Sequence, residues 1–307
     1  MNFIKRMPMS IGGLALGLVS LGNLLGGSIA PVLAMISAVI MILFLFKVFT
    51  QPDLVSLELQ NTIGASVAPT FAMAMVMLSR YVALWIDYKA GTLLFYGGII
   101  LHLILLIYFT KNYRKAINSR DVYGSFMIVY GSFGAGAIVA PFFDAYWIGK
   151  IVWIVGMIGY LPLLLLVLYK DFRTPETDEA KMPLFCVAAA NGGLLLTGYY
   201  NSFRGFNTIF IIFMIVLGQL VYFTDLNKLR KYLRLNFYPS YSSFTFPFVI
   251  NATALKMTAE YFEGLGYNMV FLKTLAMVEV AIATILVIYV FIMYMRFLFT
   301  GKTARLF

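Results

Sequence analysis

The sequence predicts an all-α integral membrane protein with ten transmembrane helices, and three observations carry that expectation. Of its 307 residues, 62% are hydrophobic and only 12% charged, with a mean hydropathy of +0.88, whereas roughly a quarter of the residues of a soluble domain carry charge. Apolar runs of about 20 residues, enough helix to cross a bilayer, recur along the whole length. Lys and Arg are distributed unevenly among the segments between these runs. Strict alternation of polar and apolar residues is absent, which argues against a transmembrane barrel.

The spans are read at residues 10–27, 29–49, 64–86, 91–110, 123–143, 146–169, 183–203, 205–224, 242–263 and 272–298. The first carries Gly12, Gly13, Gly17 and Gly22 and follows the basic start MNFIKRMPMS. That start resembles a signal peptide, but Pro31 directly after Ala30 argues against cleavage there, so the first span is counted as retained. The second is bulky, as in MILFLF, and the third contains Pro69. Gly97 and Gly98 make the fourth less purely aliphatic, and the fifth has Gly131, Gly134, Gly136 and Pro141. The sixth contains LPLLLLVLY with Gly156, Gly159 and Pro162, and the seventh, FCVAAANGGLLLTGYYNSF, is small and mildly polar with Pro183, Gly192, Gly193 and Gly198 around it. An even number of crossings is needed between the basic segments on either side of the seventh and eighth spans, and this requires the seventh to cross. The ninth holds Pro247, and the tenth holds Glu279.

Seventeen Lys and Arg fall at the N-terminus and after even spans, and six after odd spans. This bias puts both termini on the cytoplasmic side. Odd spans are rich in small residues and helix breakers, which membrane helices tolerate where neighbours or a water-filled cavity satisfy the backbone. Even spans are heavier in Leu, Ile, Val and Phe. The pattern suggests five helical hairpins in a single domain over 1–307, with odd helices around a central axis and even helices outside. Ordinary helix contacts through small residues, such as Gly13 with Gly17, are the alternative.

Catalytic and metal-binding patterns are not found. His102 is the sole histidine and has no ligand-spaced partner, and Cys186 is the sole cysteine. The expectation is no enzyme, no cofactor and no metal. A net charge of +10 is here a membrane-topology signal, not a nucleic-acid footprint. Only Glu279 among the acids is expected well inside a span, paired by default with Lys273, so proton relays are scarce and passive conduction is favoured. Odd helices bring their positive N-terminal ends to one side, near the basic DLNKLRKYLRLN, which favours anions. Arg80 and Lys256 fall at the opposite ends of odd helices as pore-mouth charges, with Glu260 one turn from Lys256; interfacial snorkelling is their alternative role.

The run FTFPFVINATALKMTAE resembles the ninth helix of the tellurite-resistance and C4-dicarboxylate transporter family, which includes the plant guard-cell slow anion channels. RMPMSIGGLALGLVSLGNL resembles that family's first helix. The loop ELQNTIGASVAPT lacks the His-Pro pair of many members. The resemblance implies five hairpins around a pore, a homotrimer in the cell membrane with one pore per protomer, and a ninth-helix phenylalanine, here Phe246, that occludes the path. A passive channel or channel-like uniporter for small anions is the leading expectation. A proton-coupled C4-dicarboxylate or tellurite-related transporter is the alternative. Pro247 is expected to bend its helix by withholding a hydrogen bond from Ser243 and so to aim Phe246. Thr245, Ile250, Asn251, Thr253, Gly13, Gly17, Gly134 and Gly193 are the other candidate pore-lining residues.

Overall fold

A computed structural model describes residues 2–117 and 122–303. Arg120 and Arg305, which enter the predicted charge bias, lie outside the described residues. The helical stretches are α1 (Ile11–Leu25), α2 (Ile29–Thr50), α3 (Thr62–Trp85), α4 (Tyr88–Lys115), α5 (Phe126–Phe143), α6 (Tyr146–Arg173), α7 (Met182–Ser202), α8 (Thr208–Tyr232), α9 (Phe246–Gly264) and α10 (Val270–Thr300).

Among the described residues, eight of these stretches, α2 to α8 and α10, are long and apolar enough to cross a membrane. The chain is a multi-pass membrane protein on that composition. α1 has 15 residues, about 22 Å of helix, against a hydrocarbon core of about 30 Å. α9 has 19 residues and carries Lys256, Glu260 and Glu263. The predicted ninth span of 242–263 is therefore composite, because its start belongs to a 3-10 turn at Pro239–Phe244.

Two layers follow from which stretches shed their surface. In α3, α5 and α7 between 72% and 100% of the most apolar window is buried, against 22% to 33% in α2, α4, α6, α8 and α10. α1 is buried at nearly every position, and the first half of α9 is buried throughout except Thr253. Small residues let backbones approach, so a helix rich in Gly, Ala and Ser can be surrounded by others; Leu- and Ile-rich surfaces suit lipid. Contacts among the buried stretches run from α1 to α3, α3 to α5, α5 to α7, α7 to α9 and back from α9 to α1. Each also packs against the outer helix that follows it.

The inner stretches are broken where the outer ones are continuous. α3 is interrupted at Ala68 before Pro69. α5 tightens into 3-10 turns at Gly131–Ala135 and Ala140–Phe143. α7 starts as a 3-10 helix over Met182–Ala189, and α9 follows the turn at Pro239–Phe244. α6, by contrast, runs unbroken past Pro162. Interrupted backbone needs partners other than lipid, and only the protein interior supplies them.

Candidate functional site

Those breaks surround a cavity of about 30 Å³ to which all the inner stretches contribute. Gly13 and Leu16 come from α1, Val67, Thr70 and Met73 from α3, and Ile128 and Ser132 from α5. Val187 and Ala190 come from α7, and Ser242, Ser243, Phe246 and Pro247 from the turn before α9 and its first residues. The volume suffices for about two waters, and no lining residue is charged. Two of the hydroxyls are held: Thr70 Oγ1 donates to Val67 O at 2.7 Å, and Ser132 Oγ donates to Asn191 Oδ1 at 2.7 Å. Asn191 Nδ2 in turn donates to Met127 O at 2.8 Å, joining α7 to α5.

Phe246 is positioned by a change of helix type, not by a kink within a helix. Thr245 has φ −95° and ψ −89°, and its single hydroxyl hydrogen is shared between Ser242 O at 2.6 Å and Gly13 O at 3.0 Å. The α-helix begins at the next residue, with Val249 N–H bonding Thr245 O at 3.3 Å. Pro247 thus lies in the first turn, where a missing N–H costs nothing and a fixed φ helps. This corrects the expected mid-helix bend. Phe246 is buried within the cavity wall, only 5% exposed.

Of the residues singled out by sequence, the structure brings Gly13, Phe246 and Pro247 to this cavity. The others occupy contacts around it. Asn251 Nδ2 donates to Ala189 O and Pro247 O, both at 2.8 Å, tying α7 to the first turn of α9. Ile250 is buried, and a Cβ on Gly193 would come within 2.9 Å of its carbonyl oxygen. A Cβ on Gly134 would meet Leu195 Cδ2 at 2.6 Å. A Cβ on Gly17 would meet the Thr245 side chain. Thr253 is half-buried and bonds Val249 O at 2.9 Å. Arg80 is exposed, with its guanidinium 5.6 Å from the Phe142 ring centroid. Lys256 and Glu260 are both exposed.

Sequence reasoning did not single out Thr70, Ser132, Ser242 or Ser243. Hydroxyl residues within helix-breaker-rich spans were the available signal. It also placed the acids incompletely. Lys273 pairs with Glu263, not with Glu279, because the chain turns back between α9 and α10 and brings their ends together. Glu279 is buried, and its carboxylate faces the Gln219 side chain without reaching good hydrogen-bond geometry. Gln219 and Tyr222 of α8, beside it, have unpartnered polar atoms. Asp225 was expected in a loop, but α8 extends to Tyr232 and leaves Asp225 fully buried, with the Ala189 backbone and Lys228 as its neighbours. His102 is a packing residue: its Nε2 lies 3.1 Å from Val129 O and its ring meets Phe133 edge-on.

Val67 also lines a larger recess of about 480 Å³, where α1 and α3 begin, together with Met9, Ser10, Glu58, Asp178, Lys181, Tyr238 and Ser240. A hydrogen bond from Lys181 to Asp178, 3.2 Å apart, holds the ammonium above the usual lysine range.

A family model described as voltage-dependent anion channel matches residues 4–295. No curated protein matches the chain.

Proposed function

Because this chain belongs to the voltage-dependent anion channel family, we propose that it is a passive channel or channel-like uniporter for small anions, with its path along the axis of α1, α3, α5, α7 and α9. The observation that carries this reading is the uncharged cavity to which every inner stretch contributes, with Phe246 in its wall. An anion crossing there sheds water against hydroxyl and apolar groups, so weakly hydrated anions pass best. Phe246 is the occluding group. Gly13 and Pro247 are lining residues, and Thr245, Asn251, Ile250, Thr253, Gly17, Gly134 and Gly193 act by holding the lining stretches in place. α1 and the composite ninth span complete ten crossings as five hairpins, with both termini cytoplasmic in the cell membrane and protomers assembled as a homotrimer.

Anion flux into liposomes tests the gate. Phe246→Ala should raise it, while unchanged flux from correctly folded Phe246→Ala protein overturns the gating role. One observation favours a second reading. Glu279 is a buried acid without a cationic partner, as a proton-coupled C4-dicarboxylate or tellurite-related transporter requires. That reading demands flux driven by a pH gradient and abolished in Glu279→Gln.

A further inference from the structure

We propose that Lys47 Nζ, the Met9 N–H and the Ser240 hydroxyl form a binding site for a small anion in the recess beside the cavity, and that the Glu58 carboxylate occupies it as a tethered competitor. Lys47 is the unusual member. It lies on α2, an outer helix, yet is only 1% exposed, and its ammonium points inward to Met7 O at 2.6 Å and Glu58 Oε1 at 2.5 Å. The second carboxylate oxygen of Glu58 accepts the Met9 N–H at 2.5 Å. One carboxylate therefore bridges a buried cation and a backbone donor at the start of α1, the arrangement a free anion would adopt.

Glu58 separates Lys47 from the recess, which Met9 itself lines. The Glu58 side chain is 31% exposed where that of Lys47 is 1%, and it lines the recess of about 480 Å³. Gly64 packs closely against the Glu58 backbone, where a Cβ would lie 2.0 Å from the carbonyl oxygen. Displacement of the carboxylate is a side-chain motion. Ser240 lines the same recess, is 8% exposed, and has an Oγ without a hydrogen-bond partner.

Charge balance gives the class of ligand. Around the recess, Lys47 is paired with Glu58 and Lys181 with Asp178 at 3.2 Å, while an exposed third acid, Glu179, is held by the lining Tyr238 hydroxyl. Removing the Glu58 charge leaves one buried ammonium uncompensated, which is strongly unfavourable unless another anion replaces it. The recess shares Val67 with the Phe246 cavity, so an anion held there stands next to the path. The inference takes its ligand class from the anion reading above, but binding is measurable without flux.

The test uses the purified full-length protein in detergent, titrated with sodium bromide against sodium gluconate at constant ionic strength, with melting temperature as the readout. A tethered group competes at an effective concentration of the order of mM, so Glu58→Gln should bind bromide about tenfold more tightly than the wild type. The double variant Glu58→Gln/Lys47→Met should lose the saturable shift. Glu58→Asp, still an anion but one methylene shorter, guards against misfolding of the first variant and should bind bromide more tightly than the wild type. Equal bromide shifts in wild type and the folded Glu58 variants overturn the site. A shift retained in the double variant is a general salt effect and overturns it too. Failure of Phe246→Ala to change flux, with the bromide result intact, removes the gate and leaves the site standing.

Discussion

Gly17 of α1 and Thr245 at the start of α9 meet so closely that a Cβ on the glycine would lie 2.5 Å from the threonine Cβ. The same threonine hydroxyl bonds Gly13 O at 3.0 Å, one turn earlier on α1. The junction that aims Phe246 is therefore fastened to α1 at two levels. Gly17→Ala should destabilise the protein by about 1–3 kcal/mol, the usual cost of overpacking. Adding Thr245→Gly removes both atoms of the contact, so a double-mutant cycle of melting temperatures should show favourable coupling. Strict additivity counts against the contact.

Phe246 should act through size. If its ring presents a barrier of about 1.4 kcal/mol, Phe246→Ala raises flux about tenfold, and Phe246→Leu falls between Ala and Phe. Initial rates of nitrate and chloride uptake into liposomes read both variants. A Leu variant faster than Ala contradicts a steric barrier.

Asn251 should act through stability. Its amide holds Ala189 O and Pro247 O, and Asn251→Ala leaves these acceptors short of a donor, at about 1–3 kcal/mol. Thermal unfolding in detergent measures the loss. A neutral result would mean that α7 and α9 are held by packing alone at this level.

Glu279 separates the passive from the coupled mechanism. Lys273 is engaged by Glu263, and Glu279 lies away from the central cavity, against α8. Glu279→Gln should therefore leave anion flux without a pH gradient unchanged. Flux that requires a pH gradient and vanishes in this variant establishes the proton-coupled alternative.

Arg80 and Lys256 are exposed, so their influence on anions is a long-range field that salt screens with a Debye length of about 8 Å at physiological ionic strength. Arg80→Gln and Lys256→Gln should each lower flux modestly at low salt, with the difference fading as salt is raised. Persistent loss at high salt would mark a direct contact with the ion.

Much of the architecture is legible in composition. Glycine, alanine and proline in α3, α5 and α7 mark buried helices because only small side chains allow backbones to approach, and only interior neighbours satisfy a broken helix. Phe246 was reachable through its neighbourhood, FTFPFV, at the start of α9. Pro247 was read correctly as a landmark and incorrectly as a kink, since the start of an α-helix after a 3-10 turn is a property of several residues' dihedrals. Gly17, Gly134 and Gly193 have the composition of lining residues and the location of helix contacts. Rotation about the helix axis distinguishes the two, and spacing alone does not define it.

By itself, then, the sequence determined residence in the membrane and which stretches are interior, because apolar content and side-chain size act locally along each helix. Tertiary structure decided which faces of five separate stretches share one cavity, where Asp225 and Glu279 lie, and that the Glu58 carboxylate bridges Lys47 and the Met9 N–H. Those relationships depend on helix rotation, on helix-type changes and on chain segments far apart in sequence, and no single segment carries the information for them.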